Sequence, residues 1–266
     1  MSELDREAVM AVHTRYLVEV VEELGLCPFA RRCRQQGRLE RPLIEMPEGP
    51  PEPDAVAETL AAVETTNPAV EIVLLTFVAP RKNPTFTTPA VFDAWVRELR
   101  TAYEKVQQHQ SSLRYYMVGF HPKNRQDPKR ELTRDSLVPL LRRTPDPVIQ
   151  CIRADLLDDL RRQAQEVAQA KFREEVAKLA PELQTMLAHA VSTDSELSSE
   201  IADNNFARVG CGEGLADLEL RIGEILQARD ALGCPFGHRA QRPDVVGPAP
   251  TQEGFARPKK VEEKPG

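Results

Sequence analysis

The stretch Val70-Glu71-Ile72-Val73-Leu74-Leu75-Thr76-Phe77-Val78 decides the fold class of this chain. It is rich in β-branched and other apolar side chains, and it is too short for a buried helix. Such a run predicts a strand that is covered on both faces, as strands are in sheets with helices packed against them. We therefore expect a mixed α/β core built around this strand.

Other segments of the first 154 residues support the same fold class. Apolar residues at helical spacing predict helices over residues 3–25 and 54–64, and Thr88 followed by Pro89 is a typical helix start. Strands that alternate with helices predict a layered sandwich of about four strands, with parallel pairs joined by helical crossovers. The three further strands are predicted over residues 42–46, 115–120 and 147–152.

Beyond residue 154 the strand pattern disappears. Leucine-rich stripes at helical spacing predict a helical extension over residues 155–238. Residues 239–266 are rich in proline and charge and nearly free of apolar side chains, so we expect a disordered tail there. The predicted organisation is an α/β domain over 1–154, the helical extension and the tail.

Composition and charge exclude several classes of protein. The chain has 266 residues and a formal net charge of −6, which argues against nucleic acid as the main partner. Its first residues lack the basic and apolar regions of a signal peptide, and its longest apolar stretch, residues 72–79, is too short to cross a membrane. Cysteine is sparse and odd in number. We expect a cytoplasmic protein with reduced thiols and no contact with a membrane.

Cys27 and His121 are the residues most suggestive of catalysis. Cys27 follows a predicted helix and precedes Pro28, with Arg31 and Arg32 nearby, and these neighbours would favour a thiolate. His121 ends a predicted strand, where α/β sheets commonly place binding groups. A nucleophile–base pair is one hypothesis. The other is that Cys27 acts as a small apolar residue in a packed corner.

Metal and cofactor sites are not expected. Zinc sites usually combine close pairs of ligands, and Cys27 and Cys33 are too far apart in sequence for such a pair, which leaves only Cys234 and His238 at a plausible spacing. The glycine-rich run at residues 210–214 lacks the lysine of a phosphate-binding loop, and no dinucleotide fingerprint is present.

Arginine and lysine residues are dense in two places, residues 31–41 and 123–143, with Arg153 close behind. If the fold brings these segments together, they form an anion-binding face in an otherwise acidic chain. The other interpretation is that these charges are solvated surface. Arg143 and Arg153 are the anion-binding candidates.

Three motifs in order resemble a bacterial family of small cytoplasmic proteins that is catalogued only as a domain of unknown function. They are Gly25-Leu26-Cys27-Pro28-Phe29-Ala30, then Phe120-His121-Pro122, then Arg143-Thr144-Pro145-Asp146-Pro147-Val148-Ile149-Gln150-Cys151-Ile152-Arg153. The resemblance covers about residues 5–160. Where the family pattern has tyrosine and histidine, this chain has Asp146 and Gln150. The resemblance therefore implies a candidate site that has lost an imidazole.

A degenerate site followed by a helical extension favours one function over another. We expect a non-enzymatic interaction or regulatory protein that binds and restrains a cytoplasmic protein partner through its apolar helical stripes. The alternative is a thiol-dependent or anion-binding enzyme with Cys27 as nucleophile, His121 as base and Arg143 as anion clamp. The predicted partner-binding residues are Leu156, Leu160, Val167, Phe172, Leu218, Ile222 and Ile225.

Overall fold

A computed structural model describes residues 5–79, 85–110, 114–125, 131–178 and 197–236. The α-helices are α1 (Arg6–Arg15), α2 (Ala30–Gln35), α3 (Pro53–Thr66), α4 (Pro89–Gln110), α5 (Arg134–Leu141), α6 (Ala154–Ala177), α7 (Leu197–Val209) and α8 (Gly212–Ala231), and a π-helix, π1 (Tyr16–Glu22), continues α1. The strands are β1 (Leu39–Glu40), β2 (Leu43–Glu45), β3 (Ile72–Val78), β4 (Tyr115–Phe120) and β5 (Val148–Arg153).

The five strands form one mixed sheet. β1 and β2 both pair in parallel with β3, and α3 connects β2 to β3. β5 is antiparallel to β3 on one side and to β4 on the other. The α/β class is confirmed, with five strands where about four were expected. The parallel crossover is present at β2–β3, whereas the insertion of β5 between β3 and β4 makes the remaining pairs antiparallel.

One face of the sheet packs against α3 and α4 in a dry core. Leu75 and Phe77 of β3 point to this face and are fully buried. Phe77 makes edge-to-face contacts with Phe92 and Trp95 of α4, with ring centroids 5.7 and 5.2 Å apart. Such aromatic contacts add to the free energy of burying apolar area. The predicted helix start is confirmed, because the Thr88 hydroxyl accepts a hydrogen bond from the Val91 amide at 3.3 Å.

The opposite face of the sheet is covered by α1, π1, α5, α7 and α8. A second core lies there, formed by buried residues such as Val20 of π1, Leu137 of α5 and Ile222 of α8. These residues come from both sides of position 154, so the helical extension shares its core with the N-terminal helices. No helix in the described residues is long and apolar enough to span a bilayer.

The N-terminal helix is not a regular α-helix throughout. After Arg15 it widens into π1, where the Glu23 amide reaches the Val18 carbonyl at 3.0 Å and the Leu26 amide reaches Val21 at 2.9 Å. The chain then turns at Gly25, whose positive φ of 65° favours glycine. π-Helical segments are rare and often lie at functional sites. The predicted tail, residues 239–266, lies outside the described residues.

Candidate functional site

A cavity of about 360 Å³ lies between the sheet and the helices of the second core. Its volume falls within the range of small-molecule sites in proteins. Most of its lining is apolar, and it is closed by π1, by the corner over residues 26–30 and by parts of α5, α6 and α7. This is the type of concave, apolar space with few polar groups that commonly binds a ligand.

The floor of the cavity is the second face of the sheet. Strand register places Thr76 opposite Val148, and Val148 opposite Phe120, in one row across three strands. Rows of the same face follow one another about 6.6 Å apart along the strands. The next row contains Leu74 and Gln150. The rows follow one another along the strands, and the row that contains Thr76, Val148 and Phe120 lies at one end of the cavity floor.

Two of the three arginines in the described lining of the cavity lie at that end, and the third, Arg161 of α6, contacts Asp158 at 3.3 Å. The Thr76 amide donates to the carbonyl of Pro42 at 3.0 Å, which places Arg41 beside this row on one side of the sheet. The His121 amide donates to the carbonyl of Arg142 at 3.0 Å, which places Arg142 beside the same row on the other side. Both arginine side chains line the cavity. We call this region, formed by Arg41, Arg142 and Thr76, the cationic end.

Among the described residues, neither arginine of the cationic end forms a hydrogen bond or ion pair with an acidic side chain, although the charge of Asp93 acts on Arg142 from a greater distance. Arg41 is partly buried and donates to the Thr14 hydroxyl at 2.9 Å. Burial and the nearby charge of Arg34 lower the pKa of Arg41 below its usual value. Arg142 is more exposed than Arg41. None of the described residues that line the cavity is an aspartate or a glutamate. The described lining of the cavity therefore carries arginines and no acidic side chain.

The other arginines of the first cluster are already neutralised. The buried carboxylate of Glu22 accepts two hydrogen bonds from Arg34, at 2.6 and 2.8 Å. The buried carboxylate of Glu71 accepts one each from Arg32 and Arg38, both at 2.6 Å. Burial tends to raise the pKa of Glu71, but these partners outweigh it and the pKa lies below its usual value. The predicted anion-binding face is thus reduced to Arg41 in this segment.

Three polar side chains face the cavity without a hydrogen-bond partner among the described residues. The Thr76 hydroxyl and the Gln150 amide belong to the floor. Asn205 belongs to α7 in the helical wall and is only 8% exposed. These groups are therefore free to hydrogen-bond a ligand that enters the cavity.

A buried ionic network lies behind the cationic end. His13 of α1 lines the cavity, and its Nε2 donates to the Asp146 carboxylate at 3.0 Å. Arg229 of α8 donates to the same carboxylate through two nitrogens, at 2.6 and 3.0 Å. Burial tends to raise the pKa of Asp146, but the hydrogen bond from His13 and the charge of Arg229 hold it below its usual value. This network fixes the orientation of His13 and fastens α8 to the segment before β5.

Cys27 lines the cavity, but the structure does not give it an activated thiolate. Burial raises the pKa of the Cys27 thiol, although the amides of Phe29 and Ala30 donate toward the sulfur and partly offset this. The expected effect of the neighbouring arginines is absent, because Arg31 contacts Glu22 and Arg32 contacts Glu71.

His121 does not join Cys27 in the cavity. Its Nε2 donates to the Phe86 carbonyl at 2.7 Å, and its Nδ1 accepts from the Lys123 amide at 3.0 Å. The imidazole is 1% exposed and contacts the ring of Phe236. The geometry therefore gives His121 a structural role in holding the turn after β4, and the nucleophile–base pair is not formed.

The two predicted anion-binding arginines also lie elsewhere. Arg143 is partly buried and its Nε donates to the Pro122 carbonyl at 3.3 Å, outside the cavity lining. Arg153 forms an ion pair with Asp155, with Nε donating to Oδ1 at 3.0 Å. In this segment it is Arg142, rather than its predicted neighbour Arg143, that lines the cavity.

Three of the seven predicted partner-binding residues are buried in the structure. Leu218, Ile222 and Ile225 of α8 are at most 1% exposed and pack into the second core. Leu156 is partly buried at the start of α6. The side chains of Leu160, Val167 and Phe172 lie outside the described part of the chain. The three residues of α8 are therefore not available to a partner in this structure.

No three histidine, cysteine, aspartate or glutamate side chains within the described residues are grouped as metal ligands. Cys33 instead donates to Glu71 at 3.1 Å, and Cys234 is buried near the Pro145 carbonyl. His238, the remaining member of the zinc set considered from sequence, lies outside the described residues.

Sequence reasoning missed His13 and Asn205. His13 interrupts the apolar stripe of the first helix, which was a usable signal for a polar group facing the interior. Asn205 follows a second asparagine in the middle of a helix, where asparagine is unfavourable, and this too was a weak signal.

The fold and the cavity define the class of this protein: a mixed α/β protein whose sheet and helices enclose a ligand-sized cavity with a positively charged end. The chain belongs to the family described as Protein of unknown function (DUF1415), whose model matches residues 8–185. The resemblance to a family of unknown function is thereby confirmed. Helices α7 and α8 lie beyond the matched residues. Searches of curated proteins and of solved structures return no match.

Proposed function

We propose that this protein binds a small organic anion with an apolar body in the cavity between the sheet and the second helical layer. The observation that carries the proposal is the partly buried guanidinium of Arg41, which faces a cavity whose described lining contains no carboxylate. A buried charge without a partner is costly, and such charges in proteins are normally paired. A bound anion would supply the missing partner.

The shape of the site favours a carboxylate at one end and an apolar chain beyond it. Arg41 and Arg142 flank the row through Thr76, so an oxyanion placed over that row could accept hydrogen bonds from both. Charge-assisted hydrogen bonds of this kind are among the strongest in proteins. Ile72 and Ile152, two rows away, offer an apolar floor for the rest of the ligand.

This proposal corresponds to the anion-binding part of the enzyme alternative, without its thiol chemistry. The hypothesis that the protein restrains a protein partner receives less support at α8, because the three contact residues predicted there are covered. The side chains of Leu160, Val167 and Phe172, predicted for the same role, lie outside the described part of the chain. Binding of a small anion requires no exposed apolar ridge.

Isothermal titration calorimetry with hexanoate and 1-hexanol tests the proposal. We expect hexanoate to bind the wild-type protein more tightly than the neutral alcohol. In Arg41→Met the preference for hexanoate should fall by about tenfold or more, since a hydrogen bond to a charged group contributes about 1.5–3 kcal/mol.

Arg97→Met is the matched control, because Arg97 is exposed on α4, on the other side of the sheet. It should bind hexanoate as the wild type does. The proposal would be wrong if hexanoate did not bind, or if Arg41→Met and Arg97→Met bound it equally well.

A further inference from the structure

Asn205 is a buried polar residue whose hydrogen-bonding groups are not used by the described protein. It is 8% exposed, lines the cavity from α7, and makes no hydrogen bond with any described residue. An asparagine amide both donates and accepts hydrogen bonds. Both groups are available to a ligand in the cavity.

Asn205 lies on α7, apart from the residues that we propose bind the anionic group. The cationic end is formed by residues beside the sheet and at the end of α5, whereas Asn205 lies in the helical wall with Ile201 and Ala202. Gln150, also without a hydrogen-bond partner, lies in the second row of the floor. The cavity thus presents neutral amide groups in addition to the guanidinium groups.

We infer that the ligand carries, besides its anionic group and apolar chain, a hydroxyl or amide group that hydrogen-bonds to Asn205. This inference rests on the proposed function and narrows its ligand class from simple alkanoates to hydroxy- or amide-substituted carboxylates. A plain apolar chain would leave the Asn205 amide buried and unsatisfied, whereas a hydroxyl or amide can donate to its oxygen and accept from its nitrogen.

The location of Asn205 also indicates which part of the chain sets this specificity. The family model ends at residue 185, and α7 begins at Leu197. The cationic end lies within the matched residues, while the amide in the wall lies beyond them. We therefore assign the anionic contact to the matched region and the second polar contact to the helices that follow it.

The test compares hexanoate with 3-hydroxyhexanoate, 6-hydroxyhexanoate and the monoamide of adipic acid, each titrated calorimetrically into the full-length protein. At least one substituted probe should bind the wild type about tenfold more tightly than hexanoate, as one satisfied buried amide predicts. The substituted probe that binds more tightly than hexanoate shows whether the ligand group is a hydroxyl or an amide.

Two variants establish whether Asn205 causes the preference. Asn205→Leu should reduce the ratio of affinities to about one, because it removes both hydrogen-bonding groups of the amide. Asn205→Ala, which adds no bulk, should also reduce the ratio. Asn204→Leu is the matched control, because Asn204 is the exposed neighbour on the same helix, and it should keep the wild-type ratio.

The outcomes separate the two proposals. If hexanoate and all three substituted probes fail to bind, the proposed function itself is wrong. If hexanoate binds but no substituted probe binds more tightly, or if the preference survives in both Asn205 variants, the proposed function stands and this inference is overturned. A strongly lowered melting temperature in both Asn205 variants would assign Asn205 a structural role and would also overturn it.

Discussion

Arginine residues in this chain differ mainly in what they contact, and that difference assigns their roles. Arg34 is satisfied by a buried glutamate and stabilises the turn around α2. Arg229 is fully buried, and its partner Asp146 is also fully buried. Arg41 alone of these three faces a cavity and has no acidic partner among the described residues. The first two support the fold, and the third is positioned to bind a ligand.

The Asp146–Arg229 pair gives a prediction about stability and pH. Asp146→Asn should lower the free energy of unfolding at pH 7 by about 3–5 kcal/mol, because it leaves Arg229 buried without a counter-charge. The pKa of Asp146 is depressed in the folded state, so the pair stabilises the wild type above the ordinary pKa of an aspartate and loses this contribution as pH falls through the lower folded value. The difference between variant and wild type should therefore shrink in acid.

Urea unfolding of both proteins between pH 7 and about pH 3 measures this difference. A destabilisation that stays the same across that range, or one below about 1 kcal/mol at pH 7, would contradict the role given to the network.

The cysteines give a second prediction at the residue scale. Cys211 is exposed, whereas burial raises the pKa of Cys27. Because the thiolate is the reactive form, iodoacetamide near pH 7.5 should label Cys211 first and Cys27 slowly. Mass spectrometry of tryptic peptides over time gives both rates. A Cys27 that reacted faster than Cys211 would restore the thiol-dependent alternative.

At the scale of the elements, α8 is part of the molecular core and not an appended arm. Its inward face packs against π1 and α1, and its outward face carries Leu220, which is 61% exposed. The second core would therefore lose one of its sides without α8. The same packing places α7, and with it Asn205, over the cavity.

This packing predicts that two alanine substitutions in α8 lower the free energy of unfolding by different amounts. Ile222→Ala should lower the free energy of unfolding by about 2–4 kcal/mol, because it removes buried methyl groups and leaves a cavity. Leu220→Ala should change it by less than about 0.5 kcal/mol. Urea denaturation compares them directly. Equal, small effects would mean that α8 does not belong to the core.

The elements could be predicted from sequence to the extent that local patterns define them. The apolar run at residues 70–78 predicted the buried strand β3, and Thr88 before Pro89 predicted the start of α4. β1 is only two residues long and carries no pattern. The antiparallel position of β5 depends on pairing between distant segments, which local periodicity does not encode.

The candidate site was less predictable than the fold for a related reason. Its decisive property is that Arg41 has no acidic partner among the residues that the structure describes, and tertiary packing determines which side chains become partners. Glu22 and Glu71 neutralise four arginines that sequence alone could not distinguish from Arg41.

At the scale of the whole molecule, one face of the sheet packs against a hydrophobic core and the other face lines the cavity. The face toward α3 and α4 is filled by close-packed aromatic and aliphatic side chains, and it gives the sheet a rigid support. The face toward the second helical layer is incompletely filled and contains Thr76 and Gln150. A rigid floor with a preformed cavity lowers the cost of ordering the site when a ligand binds.

The most direct test of this account is a crystal structure of the protein soaked with 6-bromohexanoate, with the bromine located by its anomalous signal. The account predicts bromine inside the cavity over the apolar rows near Ile72, and a carboxylate within about 3 Å of the Arg41 guanidinium nitrogens. Bromine only at the protein surface, or a carboxylate bound away from Arg41, would contradict it.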